Sequence, residues 1–338
     1  MLGKNVYASY GTLLLSRGNV LELQHINRLE GMGYVGVYIE DEISGGIEVR
    51  EVVDPLVREY ASAAIEGLFQ STKLSENNTH LLKEVEALIE AISNQILANR
   101  DSVVTLASLK TLDNYTYQHS VDVGILSLII GRGFDLSKEE LLELGKAAFF
   151  HDIGLMFVRD EIVNKPGRLN PEEYDEIKRH PEYGYTCLSA VLHQSKSVSQ
   201  TALYHHEKYM GGGYPRGIIG EETPLFAQII AVADVYDALT SKRSYRQEIS
   251  PPEAYEHIMS EMGSRFSPDV VQTFIRKIAP FPVGACVNLS DGRQAVIVKN
   301  YPSFMMRPLV KIMDQERDIY VDLAYDSSVM ATTIIGIV

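Results

Sequence analysis

Residues 113–280 contain one helix signal after another, and this succession constrains the fold more than any other feature of the sequence. Each signal pairs a capping residue with a following proline or with a glutamate three positions on: Ser137 with Glu140, Asn170-Pro171, Thr223-Pro224, Ser250-Pro251 and Ser267-Pro268. Apolar residues follow these signals at helical spacing. We therefore expect a mainly α protein, in which a central domain of antiparallel helices lies between two small flanking domains.

The first 53 residues form one of these flanking domains. Short β-prone pieces separated by glycine surround a helical stretch at Glu22–Met32, and they lie at Val6–Tyr10, Thr12–Leu15 and Gly36–Glu40. This pattern predicts a small β/α module with a structural or dimerisation role.

Residues 54–112 are predicted to be a mostly helical connector. Its apolar residues recur in a nearly heptad pattern at Leu81, Val85, Leu88, Ile92 and Ile96. Such a stripe is typical of a helix face packed inside one chain. It is equally compatible with the seam of a homodimer, and the sequence leaves both interpretations open.

The other flanking domain follows the central helices. The segment VNLSDGRQAVIVKN predicts two strands around a turn at Asp291-Gly292, and further strands are predicted at Leu309–Met313 and Ile319–Leu323. We therefore expect a small C-terminal β domain. The predicted domain boundaries are 1–53, 54–112, 113–281 and 282–338.

Charge and composition exclude some classes of protein. Lys and Arg total 31 and Asp and Glu total 45, so the net charge of −14 argues against binding of DNA or RNA through the phosphate backbone. Two cysteines, Cys187 and Cys286, are too few for a disulfide framework or a thiolate metal site. The longest apolar run, Val123–Ile130, is shorter than the roughly 20 residues of a membrane span. We expect a cytoplasmic protein without a signal peptide or membrane segment.

Histidines and aspartates recur through the central helices. The candidate metal ligands among them are His119, His151-Asp152, His180, His205-His206 and Asp234. A single histidine in such a block is more often an ordinary surface or core residue than a ligand. The joint pattern favours a metal site, because Asp234 lies in the apolar helix IIAVADVYDAL. A lone carboxylate buried there would cost several kcal/mol unless a cation or a partner compensated it.

Mixed imidazole and carboxylate ligands suit divalent ions such as Fe, Mn, Co or Zn. Seven candidate ligands exceed what one tetrahedral ion requires, and an aspartate next to a histidine can bridge two ions. Two ions about 3.5–4 Å apart can share a hydroxide and stabilise an in-line phosphoryl displacement. Such ions would also supply the positive charge with which an acidic protein attracts a phosphodiester.

The central block resembles the HD superfamily of metal-dependent phosphohydrolases, and more specifically the HD-GYP family. The matching segments are HDIG at 151–154, KPGRL at 165–169, HPEYG at 180–184, HHEKYMGGGYP at 205–215 and PLFAQIIAVADVYDALTSKRSYR at 224–246. The resemblance covers about residues 105–280. It implies hydrolysis of a cyclic dinucleotide, cyclic di-GMP above all, to pGpG or GMP by a hydroxide that bridges two divalent ions, iron or manganese.

The resemblance also implies roles for individual residues. The metal ligands would be His119, His151, Asp152, His180, His205, His206 and Asp234. Asp152 would bridge the ions, and Asp113 and Asp237 would be acidic groups beside them that orient water or a ligand histidine. Substrate contacts would come from Gly213, Tyr214, Arg243 and Arg246. Glu207, after the histidine pair, is expected to be a solvated carboxylate or a neighbour of the ligands.

Three positions depart from the family pattern. Leu155 stands where the family usually has a lysine that contacts the scissile phosphate, and Met210 replaces an aspartate before the glycines. Tyr115 stands where members with a third metal place a glutamate. A two-metal centre is therefore expected, and Leu155 weakens the expectation of turnover.

Three functions are compatible with this pattern. The first is a cyclic di-GMP phosphodiesterase. The second is a cyclic-dinucleotide sensor or adaptor that keeps the metal core and signals through a partner protein. The third is a related phosphohydrolase that prefers a different nucleotide or cyclic dinucleotide.

Overall fold

The computed structural model describes residues 1–8, 11–32, 34, 36–42, 44–49, 51–73, 78–99, 115–241, 248–314 and 317–338. The α-helices are α1 (Leu23–Gly31), α2 (Pro55–Lys73), α3 (Thr79–Ala98), α4 (Tyr115–Gly131), α5 (Lys138–Phe149), α6 (Asp160–Val163), α7 (Pro171–Ile177), α8 (His180–Thr186), α9 (Lys196–Tyr204), α10 (Leu225–Thr240), α11 (Pro251–Ser260) and α12 (Pro268–Lys277). Helices dominate, and small antiparallel sheets lie near both ends of the chain, so the predicted mainly α fold class is confirmed.

The predicted helix starts are present in the structure. Ser137, Asn170 and Ser250 each form a capping box with the glutamate three positions later. In each box the side-chain oxygen accepts from the glutamate N–H, while the glutamate carboxylate accepts from the N–H of the capping residue. These caps fix where α5, α7 and α11 begin.

The core of the central domain is built around α4. This helix packs against α5 and α10, and the side chains from Val121 to Ile130 are almost all buried. The apolar stripe of α3 faces the same core, where Val85, Ile92 and Ile96 are buried. Packing inside the chain therefore accounts for these three residues, and the homodimer remains a prediction.

The C-terminal strands form one antiparallel sheet. They are β3 (Cys286–Leu289), β4 (Gln294–Lys299), β5 (Leu309–Ile312), β6 (Tyr320–Asp322) and β7 (Ile334–Ile337), in the spatial order β6-β5-β4-β3-β7. The turn at Asp291-Gly292 joins β3 to β4 as predicted, and Gly292 has a φ of 87°, which suits glycine. The sequence analysis did not predict β7, which pairs with β3.

The N-terminal sheet is smaller than predicted. It contains β1 (Val6–Tyr7) and β2 (Leu13–Leu15), whereas the predicted strand at Gly36–Glu40 contributes a single bridge between Ile39 and Leu2. This segment is held by backbone hydrogen bonds to the first residues of the chain, from Gly3 N–H to Tyr38 O and from Glu40 N–H to Met1 O. Pairing over so few residues does not extend into a strand.

The flanking parts contact the central helices. Arg58 on α2 forms an ion pair with the buried Asp122 on α4, beside a small cavity that N-terminal residues such as Tyr7 and Tyr38 also line. Met305, from the segment before β5, is buried in the central core. The predicted domain boundaries stay a prediction: the N-terminal and C-terminal regions each have a hydrophobic cluster of their own, whereas the helices before and after residue 113 share one. Among the helices of the described residues, none is both long and apolar enough to traverse a bilayer.

Candidate metal centre

The predicted ligands come from separate elements that converge on one place. His119 lies on α4, His151 and Asp152 follow the end of α5, His180 begins α8, His205 and His206 follow α9, and Asp234 lies on α10. The structure brings all seven together in two adjacent groups. We call His119, His151 and Asp234 the first ligand group, and Asp152, His180, His205 and His206 the second ligand group. Within each group the ligand atoms lie within 4.8 Å of one another.

Asp152 stands between the two groups. Its Oδ1 lies 3.2 Å from His180 Nε2 and 3.6 Å from His205 Nε2. Its Oδ2 lies 3.5 Å from His151 Nε2 and 3.9 Å from His119 Nε2. Each carboxylate oxygen therefore faces a different group, which is the arrangement that a bridging ligand requires.

Three histidines share one orientation. The Nδ1 atoms of His151, His180 and His205 each lie 2.8 Å from the carbonyl oxygen three residues earlier. A proton on Nδ1 makes that hydrogen bond and leaves the lone pair of Nε2 directed at the cluster. Backbone geometry at the ends of the preceding helical segments thus selects the tautomer that can bind a metal.

His119 is oriented by a carboxylate instead. Its Nδ1 lies 2.7 Å from Asp237 Oδ2, and its Nε2 lies 3.1 Å from Asp234 Oδ1. Asp237 is buried one turn after Asp234 on α10, and Ser241 Oγ also donates to its Oδ2 at 3.3 Å. Of the two positions that the sequence analysis suggested for Asp237, beside water or beside a ligand histidine, the structure places it against the histidine.

Gly154 lies against the backbone of His180 and helps to position it. Gly154 lies in a short 3-10 helix, Ile153–Phe157, that packs against α8. A Cβ atom on Gly154 would collide with the carbonyl oxygen of His180 and lie 2.6 Å from the Gly184 nitrogen. The last residue of the HDIG segment is therefore a glycine because the backbone of α8 occupies the space of a side chain.

The ionisation of the cluster follows from burial and mutual charge. Burial lowers the pKa of His151 to about 4 and holds that of His206 well below its usual range. Burial also opposes charge on His119, but hydrogen bonds with Asp234 and Asp237 outweigh it and raise the pKa to about 9. Burial opposes charge on Asp152 too, yet the neighbouring histidines keep its pKa well below the usual value. Asp152 and Asp234 are therefore ionised, whereas His151 and His206 are neutral.

These donors fit divalent cations. The side chains of His119, His151, His180 and His205 are almost fully buried, and Asp152 is 13% exposed. His151 Nε2 is buried with no hydrogen-bond partner among the described residues. An unpaired buried acceptor is costly, and a cation between the imidazoles and carboxylates would compensate it. The residues present therefore fit a metal centre of mixed nitrogen and oxygen ligands.

The predicted substrate residues are only partly within the described structure. Tyr214 is half-buried and stacks on His206, with ring centroids 4.7 Å apart and an interplanar angle of 30°. Burial raises the pKa of Tyr214 above its ordinary value, so its hydroxyl stays protonated. Gly213 lies against the backbone of residues 206–208. Asp113, Arg243, Arg246 and the side chain of Tyr115 lie outside the described residues.

The other departures from the family pattern lie around this site. Leu155 is half-buried in the 3-10 helix that follows Asp152, and its N–H donates to Asp152 O at 2.9 Å. Met210 is exposed, and its N–H donates to Ser264 O at 3.0 Å. Glu207 is buried and accepts hydrogen bonds from two backbone N–H groups, so of the two expected positions, in solvent or beside the ligands, the structure shows the second. Its position directly after the histidine pair indicates a neighbour of the ligands, but its hydrogen bonds with the N–H groups of Arg216 and Gly217 depend on how the loop folds back.

Comparison with models of known protein families shows which family this chain belongs to. The model described as HD domain matches residues 85–270, which is more than half of the 338 residues. The chain belongs to the HD domain family. This match and two curated relatives that are cyclic di-GMP phosphodiesterases by name confirm the predicted resemblance to HD-GYP proteins at family level.

The HD domain chain is similar to curated proteins of two bacteria. It is 36% identical to the cyclic di-GMP phosphodiesterase PA4108 of Pseudomonas aeruginosa over 76% of this chain and 61% of that protein. It is 32% identical to the cyclic di-GMP phosphodiesterase response regulator RpfG of Xanthomonas campestris pv. campestris, over 67% of this chain and 60% of that protein. The chain thus spans about three fifths of the length of these relatives.

A solved structure shares the fold of this HD domain chain. It is the HDG"Y"P protein Bd1817 from Bdellovibrio bacteriovorus, with a TM-score of 0.54 and 18% sequence identity. The match covers 81% of this chain and 93% of that chain. At this level of identity the similarity concerns the fold alone.

Proposed function

We propose that this HD domain protein is a phosphodiesterase that opens cyclic di-GMP to pGpG or GMP with two divalent ions, iron or manganese. The observation behind the proposal is the position of Asp152, whose two oxygens face two separate groups of imidazoles. One carboxylate shared by two ligand sets is what a dinuclear centre needs.

The side chains of the chain have distinct parts in this reaction. Two divalent ions, when bound, would make a water acidic near neutral pH and neutralise charge that develops on the phosphoryl group. Asp152 would set the spacing of the two sites, and the seven ligands would exclude bulk water from them. Asp237 would hold the ring of His119, because its Oδ2 accepts the proton of His119 Nδ1 across a distance of 2.7 Å between the two atoms. Tyr214, stacked on His206, would form one wall of the substrate site.

The substrate class rests on the two relatives, which are cyclic di-GMP phosphodiesterases by name. The GYP segment and the half-buried Tyr214 beside the cluster agree with it. Arg243 and Arg246 would bind the substrate phosphate, since guanidinium groups match phosphate geometry. Asp113 would be a further acidic group at the centre. These three assignments rest on the sequence resemblance.

One observation favours the alternative of a sensor or adaptor. Leu155 is an apolar, half-buried residue at the position where the family has a lysine for the scissile phosphate. A chain that binds the nucleotide without hydrolysing it would signal through a partner protein instead. Calorimetry separates the two functions, because an adaptor binds the dinucleotide and leaves it intact.

The decisive assay is turnover by metal-loaded protein. The purified chain is loaded anaerobically with Mn²⁺ or Fe²⁺, incubated with cyclic di-GMP, and its products are separated by chromatography. We expect linear pGpG or GMP, and no product from Asp152→Asn. Parallel incubations with cyclic di-AMP and cyclic GMP-AMP identify the preferred bases. Intact cyclic di-GMP in the metal-replete sample would contradict the proposal.

A further inference from the structure

A buried carboxylate lies next to the metal centre without belonging to the ligand set. Glu207 is 4% exposed and follows His205 and His206 directly. Its Oε1 accepts hydrogen bonds from the N–H groups of Arg216, at 2.7 Å, and Gly217, at 3.0 Å. Its Oε2 is buried and has no hydrogen-bond partner among the residues that the structure describes. One oxygen of Glu207 therefore ties the end of the loop at residues 208–217 to its beginning.

Close backbone packing completes this closed loop. A Cβ on Gly213 would lie 2.5 Å from Glu207 Cα and 2.6 Å from His206 O, so the two segments touch directly. The N–H of Tyr214 donates to His206 O at 3.3 Å. These contacts place the Tyr214 ring over the imidazole of His206 at 4.7 Å. The carboxylate of Glu207 is thus part of what holds Tyr214 against a predicted metal ligand.

His206 depends on this support more than the other ligand histidines do. His151, His180 and His205 are fixed by their Nδ1 contacts to backbone carbonyls, and His119 is fixed by Asp237. Within the described part of the chain, no hydrogen bond holds either ring nitrogen of His206. Its ring is held by packing, against Tyr214 at 4.7 Å, His205 at 4.0 Å and His180 at 4.9 Å.

We propose that Glu207 is a positioning residue that acts through the loop and Tyr214 to orient His206, and thereby sets the metal affinity of the second ligand group. This inference rests on the proposed dinuclear centre. The first ligand group does not include His206, so it should be insensitive to Glu207. The signature of the role is therefore loss of affinity at one of two metal sites.

The test is a calorimetric titration of the metal-free full chain with Mn²⁺. Wild type should bind two ions. Glu207→Ala should weaken one binding event about 10–100-fold, the usual effect of removing a group that orients a ligand, and leave the other unchanged. Glu207→Gln keeps an oxygen that accepts from Arg216 and Gly217, so it should restore both events. Glu182→Ala is the matched control, because it removes only the exposed ion pair of Arg216 at 3.7 Å.

A second variant tests the route through the aromatic ring. Tyr214→Ala leaves Glu207 in place but removes the ring that covers His206, so it should weaken the same binding event. The double variant Glu207→Ala/Tyr214→Ala should bind Mn²⁺ at this site no more weakly than Tyr214→Ala alone, because both changes act on one contact. The single variant Tyr214→Ala also tests the inference if Glu207→Ala fails to fold.

The outcomes separate this inference from the proposed function. A wild-type chain that binds fewer than two Mn²⁺ ions removes the dinuclear centre itself. A wild type with two ions, together with Glu207→Ala and Tyr214→Ala proteins that bind both ions normally, overturns the role of Glu207 alone. Equal weakening at both sites, or independent effects of the two changes, also contradicts it.

Discussion

Individual residues around the cluster hold the ligands in different ways, and Asp237 does so by a hydrogen bond with the ring of His119. Its Oδ2 lies 2.7 Å from Nδ1 of His119. We predict that Asp237→Ala lowers metal affinity at the first ligand group about 10–100-fold, because the imidazole loses the carboxylate that orients it. Asp237→Asn retains an oxygen for the Nδ1 proton and should lose less. Competition of each variant with a chelator of known affinity measures the change, and equal retention of metal by Asp237→Ala and wild type would refute it.

Leu155 offers a gain-of-function test at the same scale. A lysine at this position would place a cation beside Asp152, where the resemblance expects a contact with the scissile phosphate. We predict that Leu155→Lys lowers the KM for cyclic di-GMP about 10–100-fold, since a charge-assisted hydrogen bond contributes about 1.5–3 kcal/mol. Leu155→Gln, of similar length without the charge, is the control and should show no such gain. A KM for Leu155→Lys at or above that of wild type speaks against the phosphate contact.

At the scale of the elements, the 3-10 helix after Asp152 packs closely against α8. Gly154 has no room for a side chain there, because the carbonyl oxygen of His180 and the nitrogen of Gly184 occupy it. We predict that Gly154→Ala lowers the free energy of unfolding by about 1–3 kcal/mol, as overpacking does, and reduces metal binding by displacing His180.

Gly67 on α2 provides the matched control, because a Cβ there meets no atom within 4 Å. Gly67→Ala should raise the free energy of unfolding by about 0.5–1 kcal/mol, since alanine favours helix. Denaturant unfolding of both variants measures the difference. Similar effects of the two substitutions would mean that the packing of Gly154 does not constrain α8.

Prediction from sequence succeeded where the determining interactions are local. The capping boxes at Ser137, Asn170 and Ser250 join residues three positions apart, and so each helix start was visible in the pattern. The strand β7 was missed because Ile334–Ile337 is a short apolar run without alternation, and its identity depends on pairing with β3, far away in sequence.

The site shows the same division between local and distant causes. The buried Asp234 in an apolar helix required a cation or a partner, which predicted its place in the cluster. The burial of Glu207 depends on a loop that returns nine and ten residues later to donate two N–H groups, and no pattern within the loop specifies that return. The division of ligands into two groups likewise depends on how α4, α8 and α10 assemble.

At the scale of the whole molecule, Met305, from the segment before β5, packs into the core of the helices and so connects the C-terminal sheet to them. This side chain is 6% exposed and packs in the central core, whereas the adjacent Met306 is 40% exposed. We predict that Met305→Ala lowers the free energy of unfolding by about 2–5 kcal/mol, because it leaves a cavity in that core. Met306→Ala should change it by less than about 0.5 kcal/mol. Thermal unfolding compares the two, and equal losses of stability would argue that Met305 does not join the domains.

The metal content of the protein purified without oxygen is the most direct test of the central claim, that seven side chains from distant parts of the chain hold two divalent ions. Elemental analysis of the 338-residue chain should give about two ions per chain, of iron or manganese. Asp152→Asn, which removes the carboxylate that both groups share, should lose most of both. A wild-type protein without stoichiometric metal after metal-replete, anaerobic purification, or an Asp152→Asn protein that keeps two ions, would contradict the account.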